Sequence, residues 1–404
     1  MPLDRYLRRL PLLRNNAVPE EPPTFAGMRV VVSLHAFQNL LAVAGAMVLC
    51  GLDPRLTTVF VKMGYRYPRR RSVLTELERA GFEVLPVSDI SEMKPREIVG
   101  DSDEPVLIVE DGGHVTTRLL TDPSASRRVI GVVEQTTKGI MRLQRASGGN
   151  VPFPVVSVPH SELKRTVEPP YVAEAAVRAV QAILGHRSLR HTTVTVLGAG
   201  GTIGAELVQA LEKLCVNVKY FDSQPNRLAS LLPKTCGTLV RTPQEAVQGA
   251  TVVFGATGSC SVGVDLVPYL ADGVWLASVS SDQVEFDLEA FAQRSSLPPR
   301  PVRGRELQER LDSRTLAHAY LIDGKTIHVL LDGQPVNFGE WGQMPDDTAD
   351  LVMTIVFLCA VDAARRRLGP SPGILLDAAD AVAERHDLAN KWLDIVASPT
   401  GGVR

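Results

Sequence analysis

The stretch TVTVLGAGGTIGAELV, residues 193–208, predicts a buried β-strand, a glycine-rich turn and the first turns of a helix. Val194, Val196 and Leu197 are the apolar side chains expected in a parallel strand that is covered on both faces. The glycines allow a tight turn and close approach of a ligand, and the free N–H groups that open the helix suit a pyrophosphate. The spacing is not the strict G-x-G-x-x-G, because Ile203 stands where the third glycine is expected. The predicted cofactor-binding residues here are Gly198, Gly200, Gly201, Thr202, Ile203 and Gly204.

An acidic residue follows the glycine-rich stretch at the distance that dinucleotide binding requires. A second short strand, residues 216–221, ends at Asp222, about 20 residues beyond the glycines. A carboxylate there can accept hydrogen bonds from both ribose hydroxyls and would repel the 2′-phosphate of NADP, so the sequence predicts NAD. The alternative is a strand–turn–helix that binds no nucleotide, and the acid at this position favours the cofactor site.

Length, charge and cysteine content limit the class of protein. At 404 residues the chain suggests two domains or three, and its formal net charge of −2 provides no basic surface for nucleic acid or an anionic membrane. The five cysteines include no C-x-x-C pair, which argues against a zinc site and a disulfide framework. Arginines interrupt any N-terminal signal peptide, and the apolar run at residues 40–50 is too short to span a bilayer. We therefore expect a cytoplasmic protein without a metal site.

The first half of the chain alternates apolar strands with helices. Strands are predicted at residues 28–34, 56–61, 82–85, 105–109 and 128–133, and helices at 37–49 and 72–80. This alternation indicates a doubly wound α/β domain, in which ligands bind beyond the carboxyl ends of the strands. Polar residues at several successive strand ends favour a binding site over isolated caps and turns. They are His35, Asp111, Glu134, Gln135 and Thr136.

Later segments extend the same pattern. A loop of small residues at 256–259 follows the fourth strand of the glycine-rich domain and would let a cofactor ribose lie close. Asp323-Gly324 predicts the tight turn of a hairpin. Lys164 and Glu168 have the i,i+4 spacing of an ion pair, for which the surface of a helix is the ordinary location.

Many short motifs along the chain occur in the order and at the spacing of one known family. The chain resembles S-adenosylhomocysteine hydrolase over nearly its whole length. The motifs are Ser33-Leu34-His35, Glu110-Asp111-Gly112-Gly113, Glu134-Gln135-Thr136-Thr137-Lys138-Gly139, Lys164 with Glu168 and Tyr171, residues 198–204, Asp222, Ala256-Thr257-Gly258, Val284-Glu285-Phe286-Asp287 and residues 323–337. Each motif is short, and it is their combined order and spacing that is specific.

The resemblance implies an NAD-binding domain inserted into a substrate-binding domain. The predicted fold class is therefore α/β, with two doubly wound Rossmann-like domains. The implied segments are residues 1–165 and 345–390 for the substrate-binding domain, 172–342 for the NAD-binding Rossmann domain and 391–404 for a C-terminal tail. Hinges are expected near residues 160–174 and 343–346, with an apolar helix at 348–365 returning to the first domain. The family also implies a homo-oligomer, a dimer or a tetramer.

The chemistry of the family assigns catalytic roles by resemblance. Bound NAD⁺ takes a hydride from C3′ of a nucleoside, the 3′-ketone acidifies the C4′ hydrogen, and a 5′ substituent can leave before the hydride returns. Lys164 would take the proton of the 3′-hydroxyl, helped by Glu168 where the family has an aspartate. His35 and Asp111 match groups near C4′ and the 5′ leaving group. These four residues form the predicted catalytic set.

Binding residues follow from the same resemblance. Gln135 and Thr136 match groups that hold the ribose hydroxyls of the substrate. Asp222 matches the ligand of the NAD ribose, and Asn337 a residue near the nicotinamide. Thr257 and Gly258, in the loop of small residues, complete the predicted cofactor-binding set.

The chain departs from the family around the substrate. Ser281 and Met344 replace histidines, and Gln135 replaces a glutamate. The adenine-binding threonine and glutamate fall at Phe37 and Asn39. A cysteine of the family is Ala173 here, and its C-terminal lysine and tyrosine have no match in the tail that ends Gly401-Gly402-Val403-Arg404. The redox residues are thus retained, whereas the base pocket and the 5′ end differ. The predicted substrate-binding residues are Glu134, Gln135, Thr136, Phe37, Asn39, Ser281 and Met344.

Three functions follow from these observations. The first is an NAD-dependent enzyme that oxidises an adenosine-type nucleoside transiently at C3′, enabling elimination, hydration, hydrolysis or epimerisation in specialised nucleoside metabolism. The second is hydrolysis of S-adenosylhomocysteine to adenosine and homocysteine. The third is a non-catalytic NAD-binding paralogue that acts through partners. In the first two the partner is a small-molecule nucleoside.

Overall fold

The computed structural model describes residues 3–62, 67, 69–185, 189–302, 316–338, 344–368 and 371–398, with 300–302 as backbone only. The chain divides into two compact units. The first unit comprises Met1–Met63, Pro68–Glu168 and Pro345–Arg404, and the second comprises Gly64–Tyr67 and Pro169–Met344. No described helix is long and apolar enough to cross a membrane. Gln343 of the second predicted hinge and Gly401-Gly402 of the predicted tail lie outside the described residues.

The first unit is built on a parallel sheet. Numbered along the whole chain, its strands are β1 Arg29–His35, β2 Thr57–Lys62, β3 Glu83–Pro86, β4 Val106–Glu110, β5 Val129–Glu134, β6 Pro154–Ser157 and β15 Gly373–Leu375. They lie in the order β15-β6-β5-β4-β1-β2-β3. The central strands are continuous apolar runs because helices cover both faces of a doubly wound sheet. The order changes direction between β1 and β4, which is where such sheets bind ligands.

Helices pack around this sheet. They are α1 Asp4–Leu7, α2 Pro11–Asn16, α3 Gln38–Leu49, α4 Arg70–Arg79, α5 Pro95–Val99, α6 His114–Leu119, α7 Pro123–Ser126, α8 Thr137–Ser147, α14 Asp346–Ala364, α15 Ala378–Arg385 and α16 Leu388–Ala397. The apolar helix α14 is buried along nearly its whole length and packs against β5, α2 and α3. α16 covers residues 391–397, the first half of the segment that the sequence predicted as a C-terminal tail, residues 391–404.

The second unit carries a sheet with the same central order. Its strands are β7 Thr193–Leu197, β8 Asn217–Phe221, β9 Thr238–Leu239, β10 Val252–Gly255, β11 Val274–Ser278, β12 Arg300–Val302, β13 Ala317–Ile322 and β14 Lys325–Leu330. Its helices are α10 Thr202–Glu212, α11 Pro225–Leu231, α12 Pro243–Val247 and α13 Leu288–Arg294. The order is β12-β13-β14-β11-β10-β7-β8-β9, with β13 antiparallel to its neighbours. The predicted fold class, two doubly wound Rossmann-like domains, is confirmed.

The helix that follows β6 differs from its prediction. The sequence predicts a helix at residues 171–184 that leads into the glycine-rich domain. Prolines inside a helix remove N–H donors and are rarely tolerated. The structure has one helix, α9, from Glu162 to Leu184, that contains both Pro169 and Pro170. The boundary between the two units falls at these prolines. Lys164 and Glu168 therefore share one face of a helix, on the first-unit side of that boundary.

Candidate active site

An acid–base pair lies where the order of the first sheet changes direction. His35 is the last residue of β1, and Asp111 follows directly after the neighbouring strand β4. The His35 Nε2 and Asp111 Oδ2 atoms are 3.5 Å apart, and both side chains are buried. Phe37 stacks on the His35 ring with centroids 5.5 Å apart. The structure thus brings together three of the predicted site residues.

Lys62 completes this cluster, and the sequence prediction missed it. It is the last residue of β2 and lies opposite His35 in the strand register. Its Nζ is 2.5 Å from Asp111 Oδ1, and its side chain is only 6% exposed. The predicted strand ended one residue earlier, at Val61. A lysine that ends an otherwise apolar buried strand was the signal that could have revealed it, because buried lysines are rare unless they are paired.

Glu134 and Thr136 organise the backbone at the same edge of the sheet. Glu134 accepts hydrogen bonds from the N–H groups of Gly112 and Gly113, at 3.0 and 2.8 Å. It also accepts from the N–H and Oγ1 of Thr136, at 2.7 and 2.6 Å. The Thr136 hydroxyl in turn accepts from Gly139 N–H and caps α8. A Cβ at Gly139 would lie 2.1 Å from Glu134 Cδ, so only glycine fits there. Both predicted substrate ligands are therefore engaged in shaping the loop after Asp111.

Next to Asp111, the buried residues Glu110 and Glu134 are partners in the register of strands β4 and β5. Burial raises the pKa of Glu134, and the charges of Glu110 and Asp111 raise it further, against the lowering effect of its hydrogen bonds. Burial likewise raises the pKa of Glu110, although the N–H groups of Val115 and Thr116 donate to it. Near neutral pH the edge of the sheet therefore carries less negative charge than three fully ionised carboxylates would.

Lys164 reaches this edge from α9. Its Nζ donates to the backbone carbonyl of Gln135 at 2.8 Å and lies 3.3 Å from Glu168 Oε2. Lys164 is only 7% exposed and the Glu168 side chain 22%. Lys164 is therefore buried and Glu168 half-buried, which differs from an ion pair fully exposed on the surface of a helix. Among the described residues, the side-chain Oε1 of Gln135 is buried with no hydrogen-bond partner, so it is available to a ligand hydroxyl or amine.

The other predicted substrate-binding residues lie in different surroundings. Asn39 is on the first turn of α3 and lines a small cavity of the first unit with Tyr6, Arg9, Gln38 and Asp346. Ser281 and Met344 belong to the second unit. Ser281 follows β11, and Met344 is the last residue before the chain returns to the first unit.

The glycine-rich turn of the second unit packs tightly between β7 and β10, where the order of that sheet changes direction. Gly198 has a φ of +86°, and a Cβ on it would lie 2.6 Å from the carbonyl oxygen of Ala256. A Cβ on Gly204 would lie 2.1 Å from the carbonyl oxygen of Gly198. Gly204 therefore allows the close helix–strand approach that the third glycine of the fingerprint provides, although it stands one position later. Ile203 does not disrupt the site.

Side chains around this turn hold it in place. Asp222 Oδ2 accepts from Gly200 N–H at 3.0 Å, and its Oδ1 accepts from Gln224 N–H at 2.8 Å. Thr202 begins α10, whose N-terminal N–H groups follow the turn. Asn337 Oδ1 is buried with no hydrogen-bond partner among the described residues, which suits a carboxamide N–H.

Glu285 is a second residue whose role the sequence prediction missed. It lies in the Val284-Glu285-Phe286-Asp287 motif and is fully buried. It accepts from the N–H groups of Thr257 and Gly258, both at 2.7 Å, and from the Thr257 hydroxyl at 2.9 Å. Its carboxylate therefore sets the loop that faces the glycine-rich turn. Together the two loops, the start of α10 and Asp222 fit a dinucleotide, and the acid at the ribose position fits NAD. No group of three or more metal-ligating side chains occurs in the described part of the chain.

Fold and sites define a class of protein: an NAD-binding α/β protein with a second doubly wound domain that carries buried acid–base residues at its strand ends. No protein-family model matches the chain. It is similar to an uncharacterised protein of Mycobacterium tuberculosis, at 27% identity over 383 residues, 88% of this chain and 69% of that protein. It is also similar to the S-inosyl-L-homocysteine hydrolase of Methanopyrus kandleri, at 25% identity over 68% of this chain and 62% of that enzyme.

The similarity to adenosylhomocysteinases extends over most of the chain. With the enzyme of Aeropyrum pernix it is 23% over 375 residues, which cover 90% of this chain and 84% of that protein. The predicted resemblance is supported at the level of an adenosylhomocysteinase-like protein. Among solved structures, the TT0316 protein of Thermus thermophilus aligns with 85% of this chain and 99% of its own, at 14% identity and a TM-score of 0.43.

Proposed function

We propose that the protein is an NAD-dependent, adenosylhomocysteinase-like enzyme that oxidises a nucleoside transiently at C3′ and so enables elimination, hydration or epimerisation between C3′ and C5′. The observation that carries the proposal is the buried Lys164 side chain paired with the half-buried Glu168, with Nζ and Oε2 3.3 Å apart. Burying a lysine and a carboxylate is unfavourable unless they are well paired. Such buried titratable pairs at the ligand-binding edge of a sheet are typical of catalytic sites.

Lys164 and Glu168 would act on the 3′-hydroxyl. In its amine form Lys164 would take the hydroxyl proton, and Glu168 would stabilise the ammonium that results. The Gln135 carbonyl, 2.8 Å from Nζ, fixes the direction of the amine. NAD, when bound, supplies the acceptor and later the donor of the hydride at C3′.

His35 and Asp111 would act at the other end of the sugar. Once C3′ is a ketone, the C4′ hydrogen is acidic and a 5′ substituent can leave by β-elimination. An imidazole held by a carboxylate can move protons at both positions near neutral pH. Burial of both side chains keeps bulk water away from the reactive ketone.

The residues at the adenine-binding positions of the family, Phe37 and Asn39, favour a nucleoside whose base differs from adenine. Phe37, at the family's threonine position, presents an aromatic ring beside His35, whereas Asn39, at its glutamate position, lines a cavity with Gln38 and Asp346 and offers no carboxylate to an adenine amino group. The relatives named S-inosyl-L-homocysteine hydrolase and adenosylhomocysteinase support a purine nucleoside thioether as substrate. S-adenosylhomocysteine hydrolysis is the second candidate, favoured by the retained Lys164, His35 and Asp111.

The test is a cofactor-reduction screen. The NAD-loaded protein is mixed with purine and pyrimidine nucleosides and their 5′-thioethers, including the S-adenosyl and S-inosyl compounds. Absorbance of reduced nicotinamide and mass spectrometry of the products are then recorded. We expect one purine nucleoside class to reduce the bound cofactor. If no compound does, the enzymatic proposal is wrong and a non-catalytic NAD-binding paralogue is the remaining alternative.

A pair of variants tests the assigned base. Lys164→Met should bind NAD as the wild type does, while the rate of cofactor reduction falls by about 10²-fold or more, the usual effect of losing a general base. Lys213→Met is the matched control, because that lysine side chain is 73% exposed on the second unit. Undiminished reduction by the Lys164→Met protein would rule out the role given to this amine.

A further inference from the structure

A basic side chain lies near each of the two oxygens of Asp111, and Lys62 donates a hydrogen bond to one of them. Lys62 Nζ lies 2.5 Å from Oδ1, and His35 Nε2 lies 3.5 Å from Oδ2. The three residues come from the ends of three neighbouring strands, β2, β1 and β4, so the sheet itself sets their spacing. Each side chain is less than one-tenth exposed.

The geometry separates the roles of these groups. A carboxylate anchored by a lysine at one oxygen has its other oxygen directed at the imidazole. Such a carboxylate orients the ring and stabilises its protonated form, as the aspartate of a catalytic triad does, without accepting the proton itself. Without Lys62, the Asp111 carboxylate would lose the cation that donates to its Oδ1 in a buried site, and its orientation toward His35 would be less restricted.

We propose that Lys62 is a positioning residue for the elimination step, acting through Asp111 on His35. This inference rests on the proposed function. In the step, His35 accepts the proton from C4′ of the 3′-keto nucleoside, and the C–H electron pair forms the C4′=C5′ bond. The bond from C5′ to the substituent breaks, and the substituent leaves with the electron pair of that bond and takes the proton from His35. The step involves no net oxidation, and Lys62 exchanges no proton with the substrate.

The proposal is tested by measuring the rate of cofactor reduction and the rate of thiol release separately. With a 5′-thioether substrate, reduction of the bound cofactor reports the step at C3′, and release of free thiol reports the elimination. Lys62→Met should leave the first rate within about threefold of the wild type and lower the second by about 10²-fold. Lys62→Arg, which keeps the charge, should recover part of the thiol release, whereas Lys62→Gln should not. Lys213→Met serves as the exposed control.

A double-mutant cycle distinguishes action through Asp111 from a general structural effect. If Lys62 acts through this carboxylate, Lys62→Met should have little further effect on thiol release in an Asp111→Asn background. Additive losses would overturn the proposal, as would equal losses of both rates or undiminished thiol release in a folded, NAD-bound Lys62→Met protein. If Lys62→Met does not fold, the Arg and Gln variants decide between the same outcomes. If the wild type does not reduce its cofactor with any nucleoside, the proposed function and this inference both fail. If the wild type does reduce it, the variants test the inference about Lys62 alone.

Discussion

Replacement of Gly204 by alanine tests the cofactor site most directly. The added Cβ would lie 2.1 Å from the Gly198 carbonyl oxygen and 2.9 Å from Ala199 Cα. Contacts under 3.0 Å are essentially never seen, so the carbonyl must move by at least 3.0 − 2.1 = 0.9 Å. It cannot move freely, because it accepts from Gly201 N–H at 3.1 Å and Gly198 N–H donates to Phe221 at 2.9 Å.

The size of the effect follows from these contacts. Overpacking of the new methyl group against the backbone of Gly198 and Ala199 costs about 3 kcal/mol, the upper end of the usual range. The better helix propensity of alanine returns at most about 1 kcal/mol, which leaves a loss of about 2 kcal/mol in the free energy of unfolding of the second unit. The same displacement moves the loop that would hold the pyrophosphate, so we expect NAD to bind at least about tenfold more weakly.

Gly201→Ala is the matched control. It lies in the same turn, but its added Cβ would be 3.3 Å from the nearest atom, the Gly198 carbonyl oxygen. A loss of no more than about 1 kcal/mol is expected there, from the less favourable N-cap. Denaturant unfolding and calorimetric titration with NAD measure both variants. Because Gly201 belongs to the predicted cofactor site, stability is compared between the two variants and NAD affinity with the wild type. Should Gly204→Ala match Gly201→Ala in stability and the wild type in NAD affinity, the close packing inferred at Gly204 is wrong.

Two further predictions concern buried carboxyls. Glu285→Gln keeps one oxygen for the Thr257 and Gly258 N–H groups but places an amide NH2 where Oε2 accepts from the Thr257 hydroxyl, so NAD affinity should fall about tenfold with the fold retained. Unaltered calorimetric affinity would count against the role of Glu285. Burial raises the pKa of Asp350 from 3.8 to about 7, so between these pH values the folded state binds a proton that the unfolded state has released. The stability contributed by this protonated carboxyl is fully present below about pH 4 and is lost as the pH rises through about 7. The unfolding midpoint should therefore fall more between pH 5 and 8 in the wild type than in Asp350→Asn, and parallel pH curves would contradict this direction.

Much of the fold was predictable because its signals are local. Apolar runs such as those of β1 and β4 mark strands covered on both faces, and the Asp323-Gly324 turn forms with both residues at positive φ, 50° and 78°, as a two-residue hairpin requires. The glycine-rich turn and the acid at 222 were predictable for the same reason, since a strand, a turn and a helix follow each other directly in the chain. The end of β2 was placed one residue early, and that was enough to miss Lys62.

Other features depended on burial, which spacing alone does not determine. Lys164 and Glu168 have the same i,i+4 spacing as many exposed pairs, and only the tertiary structure, which places Lys164 Nζ 2.8 Å from the Gln135 backbone carbonyl, buries the lysine. Glu285 is distant in sequence from the loop at Thr257 and Gly258 whose N–H groups donate to it. Contacts between segments so far apart in the chain cannot be predicted from the local periodicity of the sequence.

The sequence by itself therefore determined the order of strands and helices, the dinucleotide turn and the presence of acids and bases at strand ends, because each of these is written in neighbouring residues. The tertiary structure alone decided that Gly204 takes the place of the expected third glycine, that Glu134 shapes a loop, and that Lys62, Asp111 and His35 meet. The physical reason is that parallel strands distant along the chain end at one edge of the sheet, where polar side chains are removed from water. Buried polar groups are stable only when they pair with one another, so these side chains interact.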